Sequence, residues 1–156
     1  MTGVQTCALP IWIAETGHLT FATLHTNSAY ATINRLVDAF PPHQQQQIRA
    51  QLSLVLEGII CQTLLPKAGG DGRICATEVL IPTSGIRNLI RENKVHQIYS
   101  AMQVGQVKSG MHTMNQRLAE LVSQGKLAME AALESSSNAD ELREALKRMP
   151  SRAGAR

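Results

Sequence analysis

The chain has 156 residues, a hydrophobic fraction of 44% and a formal net charge of +3. This length suits one domain, or part of one domain plus a small module, and no apolar run approaches the ~20 residues of a membrane-spanning helix. Part of the positive charge lies in the C-terminal tail, and aromatic residues make up only 3% of the chain. A short basic tail with so few aromatic side chains is typical of a solvated end, so we expect no nucleic-acid partner.

The cysteines Cys7, Cys61 and Cys75 are odd in number and form no C-x-x-C pair. This pattern predicts neither a disulfide framework nor a zinc site, and it indicates a reducing cytoplasm. We expect Cys61 and Cys75 to be buried as small apolar residues. The sequence also contains no H-E-x-x-H or D-x-D cluster, so no metal site is predicted.

Residues 1–11, MTGVQTCALPI, are predicted to be foreign to the fold. They show no clear helical period, and they lack the basic region that begins a signal peptide. They resemble translated sequencing-adapter sequence joined to a truncated reading frame. We therefore leave residues 1–11 out of the fold prediction.

The stretch Glu15–Ala29, ETGHLTFATLHTNSA, predicts a turn, a strand and the start of a helix. Leu19–Leu24 is a short apolar run of the kind found in strands buried on both faces of a parallel sheet. His25 follows this run, at the edge where open α/β sheets bind ligands. Asn27 or Ser28 could then cap the next helix and place backbone N–H donors nearby.

The two histidines of this stretch, His18 and His25, would lie about 20 Å apart on a strand that rises about 3.3 Å per residue. They are therefore not expected to share a metal ion. An imidazole at a strand's C-terminal edge can donate to a terminal phosphate and change partners on hydrolysis. His25 could equally form a hydrogen bond to a neighbouring loop, and the residues alone leave both readings open.

Apolar spacing predicts a helix from Ser28 to Phe40, ended by Pro41-Pro42, and a second helix over His43–Ile60. Two strands should follow, Cys61–Leu65 and Arg73–Ile81. The glycine-rich link over residues 68–72 lacks the G-x-x-x-x-G-K-[ST] pattern. It is therefore expected to form a hairpin turn and not a phosphate-binding loop.

After Pro82 the pattern is helical throughout. The first predicted helix covers Gly85–Asn93 and is capped by Thr83 or Ser84, and the second is marked by Val95, Ile98, Tyr99 and Met102 and is ended by a link over residues 105–110. A capping box from Thr113 to Gln116 begins the third helix, and Gly125 ends it. Two short helices are predicted after it, over Ala128–Leu133 and Asn138–Arg148. The predicted division is 12–82 for an α/β part, 83–149 for a helical domain and 150–156 for a disordered tail. Arg87 and Arg91 are expected on one outward face, either solvated or facing a neighbouring subunit's carboxylates.

Several motifs together resemble one family. ETGHLTFATLHTNSA is similar to the histidine box of the type II/IV secretion ATPases, and TINRLVDAFPP, QLSLVLEGIICQTLLP and GRICATEVLI are similar in order and spacing to the segments that follow it. GIRNLIREN is close to the AIRNLIRE motif of the type IV pilus retraction (twitching-motility) ATPases, and IYSAMQVGQ and GMHTMNQRLAELV resemble their C-terminal helices. The resemblance covers about Ile13 to Arg148. It implies an α/β fold, namely the C-terminal part of a RecA-like P-loop NTPase sheet followed by a small all-helical domain.

The resemblance also implies a function and a set of site residues. The family's complete proteins are cytoplasmic homo-hexameric motors that use ATP and Mg²⁺ to drive pilus retraction, at the inner membrane beside the pilus platform protein. The implied roles are catalytic for His18 and His25, nucleotide-binding for Gly17, His18, His25 and Thr26, and retraction motif for Gly85, Ile86, Arg87, Asn88, Leu89, Ile90, Arg91 and Glu92. Gly85 stands where the family has alanine, and His112 stands where glutamine is usual.

The family's P-loop, acidic box and Walker B strand are not in these 156 residues. Without a P-loop lysine, a magnesium-binding hydroxyl and a catalytic glutamate, phosphoryl transfer loses most of its electrostatic stabilisation. We therefore expect this polypeptide alone to be inactive and to bind ATP weakly. The unpaired edge of the Leu19–Leu24 strand should make the α/β part prone to aggregation, whereas residues 83–148 should survive limited proteolysis.

Two alternatives to a retraction ATPase fragment stay open. One is a fragment of a pilus-assembly or type II secretion ATPase, although those proteins commonly carry a cysteine-paired metal insert that this sequence lacks. The other is a non-catalytic helical module that binds the ring or the pilus machinery.

Overall fold

The computed structural model describes residues 10–148, except for the side chains of residues 105–109. Helix α1 covers residues 10–15 of this range. The remaining elements are α2 (Ala29–Asp38), α3 (Pro42–Val55), β1 (Ile59–Pro66), β2 (Arg73–Leu80), α4 (Ser84–Arg91), a 3₁₀ turn (Val95–Gln97), α5 (Ile98–Ser109), α6 (Met114–Ser123), α7 (Met129–Ser135) and α8 (Ala139–Arg148). The predicted disordered tail, from Pro150, lies outside the described residues.

The strand predicted at Leu19–Leu24 does not form. Residues 18–24 have no regular secondary structure, and Leu19 and Phe21 are 83% and 88% exposed. The sheet in the described part of the chain has two strands, β1 and β2, and neither pairs with residues 18–24. A strand of a parallel sheet is stabilised by hydrogen bonds to its neighbours and by helices on both faces. Where these are missing, β-forming side chains do not make a strand.

β1 and β2 form an antiparallel hairpin, in register from Ile59 opposite Leu80 to Pro66 opposite Arg73. The amide of Lys67 donates to the carbonyl of Gly72 at 3.2 Å across the turn, and Gly72 has a φ of +80°. The glycine-rich link is therefore a hairpin turn, as predicted, because glycine takes this backbone conformation without steric cost.

The helix predicted over His43–Ile60 ends five residues early, at Val55. Leu56 is already extended, with ψ of 122°, and burial then alternates along β1 from buried Ile59 to exposed Ile60. This alternation is that of a strand and not of a helix. The following link also differs from the prediction, because α5 continues through Gly105 and ends at Ser109, before Gly110 with its φ of +71°.

Two apolar clusters hold the chain together. The first joins α2, α3, one end of the hairpin, α4, the 3₁₀ turn and α5, and the second joins the other end of the hairpin to α6, α7 and α8. The first cluster crosses the boundary predicted at residue 82, because Ile86 and Ile90 of α4 are buried with Ile48 and Leu52 of α3. It also contains Ile11, which is 4% exposed. Ile11, which the sequence analysis left out of the fold prediction, thus packs in this cluster.

The helix caps predicted in the C-terminal half are confirmed. Thr83 accepts a hydrogen bond from the amide of Ile86, and Thr113 and Gln116 form a complete capping box. Gly125 follows α6 with a φ of +70°. Asn138 accepts from the amide of Glu141 at 3.1 Å. These signals are correct because a cap depends on residues three positions apart in sequence.

Of the two cysteines within the described residues, Cys61 is buried as predicted and Cys75 is exposed. Both lie in the hairpin, where alternate residues point to opposite faces. Cys61 shares the inner face with Ile59 and Leu65, whereas Cys75 lies opposite Leu64 on the outer face. Burial raises the pKa of the Cys61 thiol.

Candidate functional site

His25 lies on an open depression of about 480 Å³ beside the start of α2. Its imidazole is exposed. The segment 25–27 forms one side of the depression and the outer face of α2 forms the other, where Tyr30, Ala31, Asn34, Arg35 and Asp38 line it. The depression thus offers an imidazole, a guanidinium, a carboxylate and amide groups to a polar ligand.

His18 does not belong to this depression. It lies in the exposed segment that follows Gly17, whose φ of +86° allows the turn after α1. Its Nδ1 is 3.0 Å from the hydroxyl of Thr16. Of the two histidines singled out from the sequence, the structure places one, His25, against α2. The second histidine, His18, lies in the exposed segment 18–24, which has no regular secondary structure.

Thr26 is held by its own chain. Its hydroxyl is 2.7 Å from the hydroxyl of Thr32, which in turn donates to the carbonyl of Ser28 at 2.9 Å. Thr32 is 6% exposed. Thr26 therefore fixes the path of the backbone between His25 and α2, and its hydroxyl proton is used in the bond to Thr32.

The start of α2 is capped by a distant residue and not by its own sequence. Ser28 occupies the N-cap position but makes no side-chain capping bond, and its hydroxyl is buried without a partner. Instead the Oε1 atom of Glu78, in β2, accepts from the amide of Ala29 at 2.7 Å. The cap predicted for Asn27 or Ser28 is thus corrected.

Glu78 also caps a second helix. It is 2% exposed, and its Oε2 atom accepts from the amide of Met114, the first residue of α6, at 3.1 Å. Sequence reasoning did not single out Glu78. The alternation in RICATEVL could have found it, because Glu78 falls between Ala76 and Leu80 on the buried face of β2. A carboxylate at such a position needs hydrogen-bond donors.

Because of Glu78, the start of α2 is not a ready anion site. Helix N-termini attract phosphate through their free N–H groups and the positive end of the dipole. Here the amide of Ala29 is already bonded to a carboxylate, which also supplies the negative charge. A phosphate near His25 would therefore be bound by side chains of the depression, and not by the first amide of α2.

The segment GIRNLIREN forms α4, and its two arginines have different surroundings. Arg87 was expected to point outward, but its guanidinium donates to the carbonyls of Ser53 and Leu54 at 2.9 Å each. It also pairs with Glu57 at 3.1 Å. These carbonyls lie in the last turn of α3, where helix carbonyls have no intrahelical partner. Arg87 therefore caps the C-terminal end of α3.

Arg91, one turn later, is exposed and donates to the side chain of Asn88 within the same helix. Asn88 also donates to Glu92 at 2.8 Å, and Lys94 pairs with Glu92 at 2.7 Å. The hydrogen bond from Lys94, followed by that from Asn88, lowers the pKa of the Glu92 carboxyl. Together these side chains form an exposed polar surface.

Gly85, the departure from the family pattern, is sterically neutral. A Cβ at this position would meet only the Thr83 hydroxyl, at 3.9 Å, which is an ordinary van der Waals contact.

His112, the other departure, extends the hairpin. Its amide and carbonyl pair with Val79 at 3.1 and 3.0 Å, and its Nε2 atom is 3.1 Å from the hydroxyl of Thr77.

The described residues contain neither a cluster of metal-binding side chains nor a membrane-spanning helix. Across residues 10–148, no group of three or more histidine, cysteine, aspartate or glutamate side chains is arranged to hold a metal ion. In the same range, no helix combines the length and the hydrophobicity that a membrane span requires.

Comparisons with known proteins agree on one family. Residues 1–147 match the model of the family described as "Type II/IV secretion system protein". The chain is 46% identical over 142 residues to a protein of Neisseria gonorrhoeae named "Twitching motility protein", covering 91% of this chain and 38% of that protein. It is 48% identical over 134 residues to the "Type IV pilus retractation ATPase PilT" of Pseudomonas aeruginosa, covering 86% of this chain and 38% of that protein.

A solved structure agrees with these relatives. The structure titled "Crystal Structure of the Pilus Retraction Motor PilT and Bound ADP" is 51% identical, with a TM-score of 0.82. The match covers 92% of this chain and 40% of that chain. The predicted α/β class, as the C-terminal part of a RecA-like ATPase, is thereby confirmed. The chain spans less than half the length of the relatives it matches, and it belongs to the type II/IV secretion system protein family.

Proposed function

We propose that the chain is a piece of an ATPase motor that drives type IV pilus retraction and twitching motility. One observation carries this proposal: the chain is 48% identical over 134 residues to a protein named as a pilus retraction ATPase. The likeness to an ADP-bound retraction motor, with a TM-score of 0.82, supports it. ATP and Mg²⁺ are the proposed cofactors of the complete protein.

Within the complete motor, we propose that His25 senses the terminal phosphate of the nucleotide. Its exposed imidazole beside the depression supports this role, because an imidazole can donate to a phosphate and release it as charge changes during hydrolysis. Gly17, His18 and Thr26 have proposed roles near the same nucleotide. Thr26 would act by holding the backbone, since its hydroxyl is bonded to Thr32.

The proposed assembly is a homo-hexamer that acts in the cytoplasm, peripheral to the inner membrane, against the pilus platform protein. Gly85 to Glu92 would form the retraction motif of this assembly. Because Arg87 is bonded to α3, we assign the outward contacts of this motif to Arg91 and its exposed neighbours. Arg91→Ala should then reduce pilus retraction while ATP turnover is retained.

A chimera tests the proposed function directly. The 134 aligned residues of the Pseudomonas aeruginosa retraction ATPase would be replaced by those of this chain, in a strain that lacks its own copy. We expect the chimera to restore twitching and Mg²⁺-dependent ATP hydrolysis. A chimera that folds and assembles but hydrolyses no ATP would contradict the proposal.

His25→Ala in this chimera should lower ATP turnover by ~100-fold or more, the scale of one well-placed proton donor at a reaction centre. The matched control is His43→Ala. His43 is also an exposed histidine, and its side chain contacts only Gln44 by hydrogen bonding in the described residues. Equal losses for the two variants would exclude a specific role for His25.

The 156-residue polypeptide alone is expected not to hydrolyse ATP and to bind it weakly. Its sequence contains no G-x-x-x-x-G-K-[ST] segment, so it lacks the backbone cradle and lysine that hold the β- and γ-phosphates. Turnover of ATP by the purified chain, dependent on Mg²⁺ and absent from a His25→Ala preparation, would contradict this expectation.

A further inference from the structure

Glu78 is a buried carboxylate that bridges the first residues of two helices. It is 2% exposed, and within residues 10–148 it forms no ion pair with a cationic side chain. Its two oxygens instead accept from backbone amides, one from Ala29 and one from Met114. These amides are 49 and 36 residues away from it in sequence.

The two helices depend on Glu78 to different degrees. α6 has its own capping box, in which Thr113 and Gln116 satisfy two further donors. α2 has no such cap, because the Ser28 side chain makes no capping bond. Among the residues that the structure describes, Glu78 is therefore the only side-chain acceptor at the amide of Ala29, and it is an additional acceptor at α6. The first amides of a helix have no intrahelical acceptor, so the start of α2 should be the more sensitive of the two.

We propose that Glu78 is a positioning residue that fixes the His25 segment and joins it to the start of α6. His25 is four residues before Ala29, and Thr26 between them is bonded to Thr32 of α2. The backbone that carries His25 is therefore held at α2, and α2 is held at its first amide by Glu78. Because the same carboxylate holds Met114, a displacement of α6 is transmitted to the His25 segment.

The relevance of this link to nucleotide sensing rests on the function proposed above, but the link itself does not. It can therefore be tested on the 156-residue chain without nucleotide. If the exchange experiments show no link through Glu78, the proposed ATPase function is unaffected. If the chimera hydrolyses no ATP, the link through Glu78 is unaffected.

The first experiment measures amide hydrogen exchange by NMR in Glu78→Gln. Glutamine keeps the shape of the side chain, but it replaces one acceptor oxygen with an NH₂ group that cannot accept. We expect exchange to accelerate ~10-fold or more at whichever of the Ala29 and Met114 amides faces the NH₂ group, and exchange in the hairpin to stay unchanged. The matched control, Glu144→Gln, changes a carboxylate that is 68% exposed and should alter neither amide. Unchanged exchange at both Ala29 and Met114 in Glu78→Gln would overturn the proposal.

The second experiment tests the link itself. Thr113→Ala removes the capping box of α6 and loosens its start. We expect exchange at Ala29 to accelerate ~3-fold or more in this variant, and we expect Thr113→Ala to add nothing at Ala29 in the Glu78→Gln background. If Thr113→Ala accelerates exchange at Ala29 equally with and without Glu78→Gln, the two helix starts are coupled by a route other than Glu78, and the proposed link is wrong. If Glu78→Gln does not fold, an unchanged Ala29 in Thr113→Ala alone overturns the link.

Discussion

Tyr99 is a half-buried phenol whose surroundings oppose ionisation. Its hydroxyl donates to both carboxylate oxygens of Glu141 at 2.9 Å each, and this contact ties α5 to α8. Burial, followed by the bond to the Glu141 carboxylate, raises the pKa of Tyr99. Glu141 is therefore used as an acceptor between helices. The amide of Asn138 donates instead to the hydroxyl of Ser136, at 3.1 Å.

The raised pKa of Tyr99 predicts a loss of stability in alkali. Above about pH 10, the ordinary pKa of tyrosine, the unfolded chain releases this proton and the folded chain keeps it. The free energy of unfolding should then fall by up to about 1.4 kcal/mol per pH unit from this residue. Urea denaturation between pH 9 and 11 measures the slope, and Tyr99→Phe should reduce it.

The control for this prediction is Tyr30→Phe. Tyr30 is 46% exposed, and it lies on the surface of α2. Its removal should change the alkaline slope less than Tyr99→Phe does. The same reduction in both variants would contradict the assigned role of Tyr99.

At the scale of elements, the end of α3 is fixed by a residue of α4. The two helices share an apolar contact through Ile48, Leu52, Ile86 and Ile90. Arg87 adds bonds to the last carbonyls of α3, at Ser53 and Leu54. A cation there also interacts favourably with the negative end of the helix dipole.

Arg87→Ala should lower the free energy of unfolding by about 1–3 kcal/mol, because it leaves the α3 carbonyls without this donor. Arg91→Ala is the matched control, one turn away on the same helix. It removes a bond made only within α4, so its effect should stay within about 0.5 kcal/mol. Chemical denaturation of both variants gives the comparison, and equal effects would argue against the cap.

The elements that local pattern predicts best are those whose stabilising partners are close in sequence. The hairpin turn and the Thr113–Gln116 capping box are of this kind, and both form as predicted. The Leu19–Leu24 strand is not, because its hydrogen bonds would have to come from strands elsewhere. The contact between Glu78 and Ala29 could not be predicted for the same reason, because the two residues are 49 positions apart in sequence. Of the candidate site, the sequence indicated His25 but not the carboxylate that holds its backbone.

At the scale of the whole molecule, the apolar cores and the predicted domains divide the chain differently. α4 and α5 pack with α2 and α3 in the first cluster, whereas α6, α7 and α8 form the second cluster with the far end of the hairpin. The hairpin contributes to both clusters. A fragment that begins at Thr83 would therefore lose the partners of Ile86 and Ile90.

Limited proteolysis distinguishes these divisions. Chymotrypsin should cut first after Phe21, which is 88% exposed in a segment without secondary structure, since such segments are cleaved most readily. We expect the protected product to begin at about residue 22 and to include α8, as read by mass spectrometry. Early accumulation of a fragment from about Thr83, as the sequence alone predicted, would contradict the packing of α4 against α3.

The outer face of the hairpin carries a thiol that can be used to report its environment. Cys75 is exposed beside Leu64, which is 57% exposed, whereas Cys61 is buried on the opposite face. A maleimide should therefore label Cys75 rapidly and Cys61 slowly, and Cys7→Ser removes the remaining thiol. The labelling rate of Cys75 then measures, in any larger assembly, how much of the hairpin is covered, without a substitution in the hairpin itself.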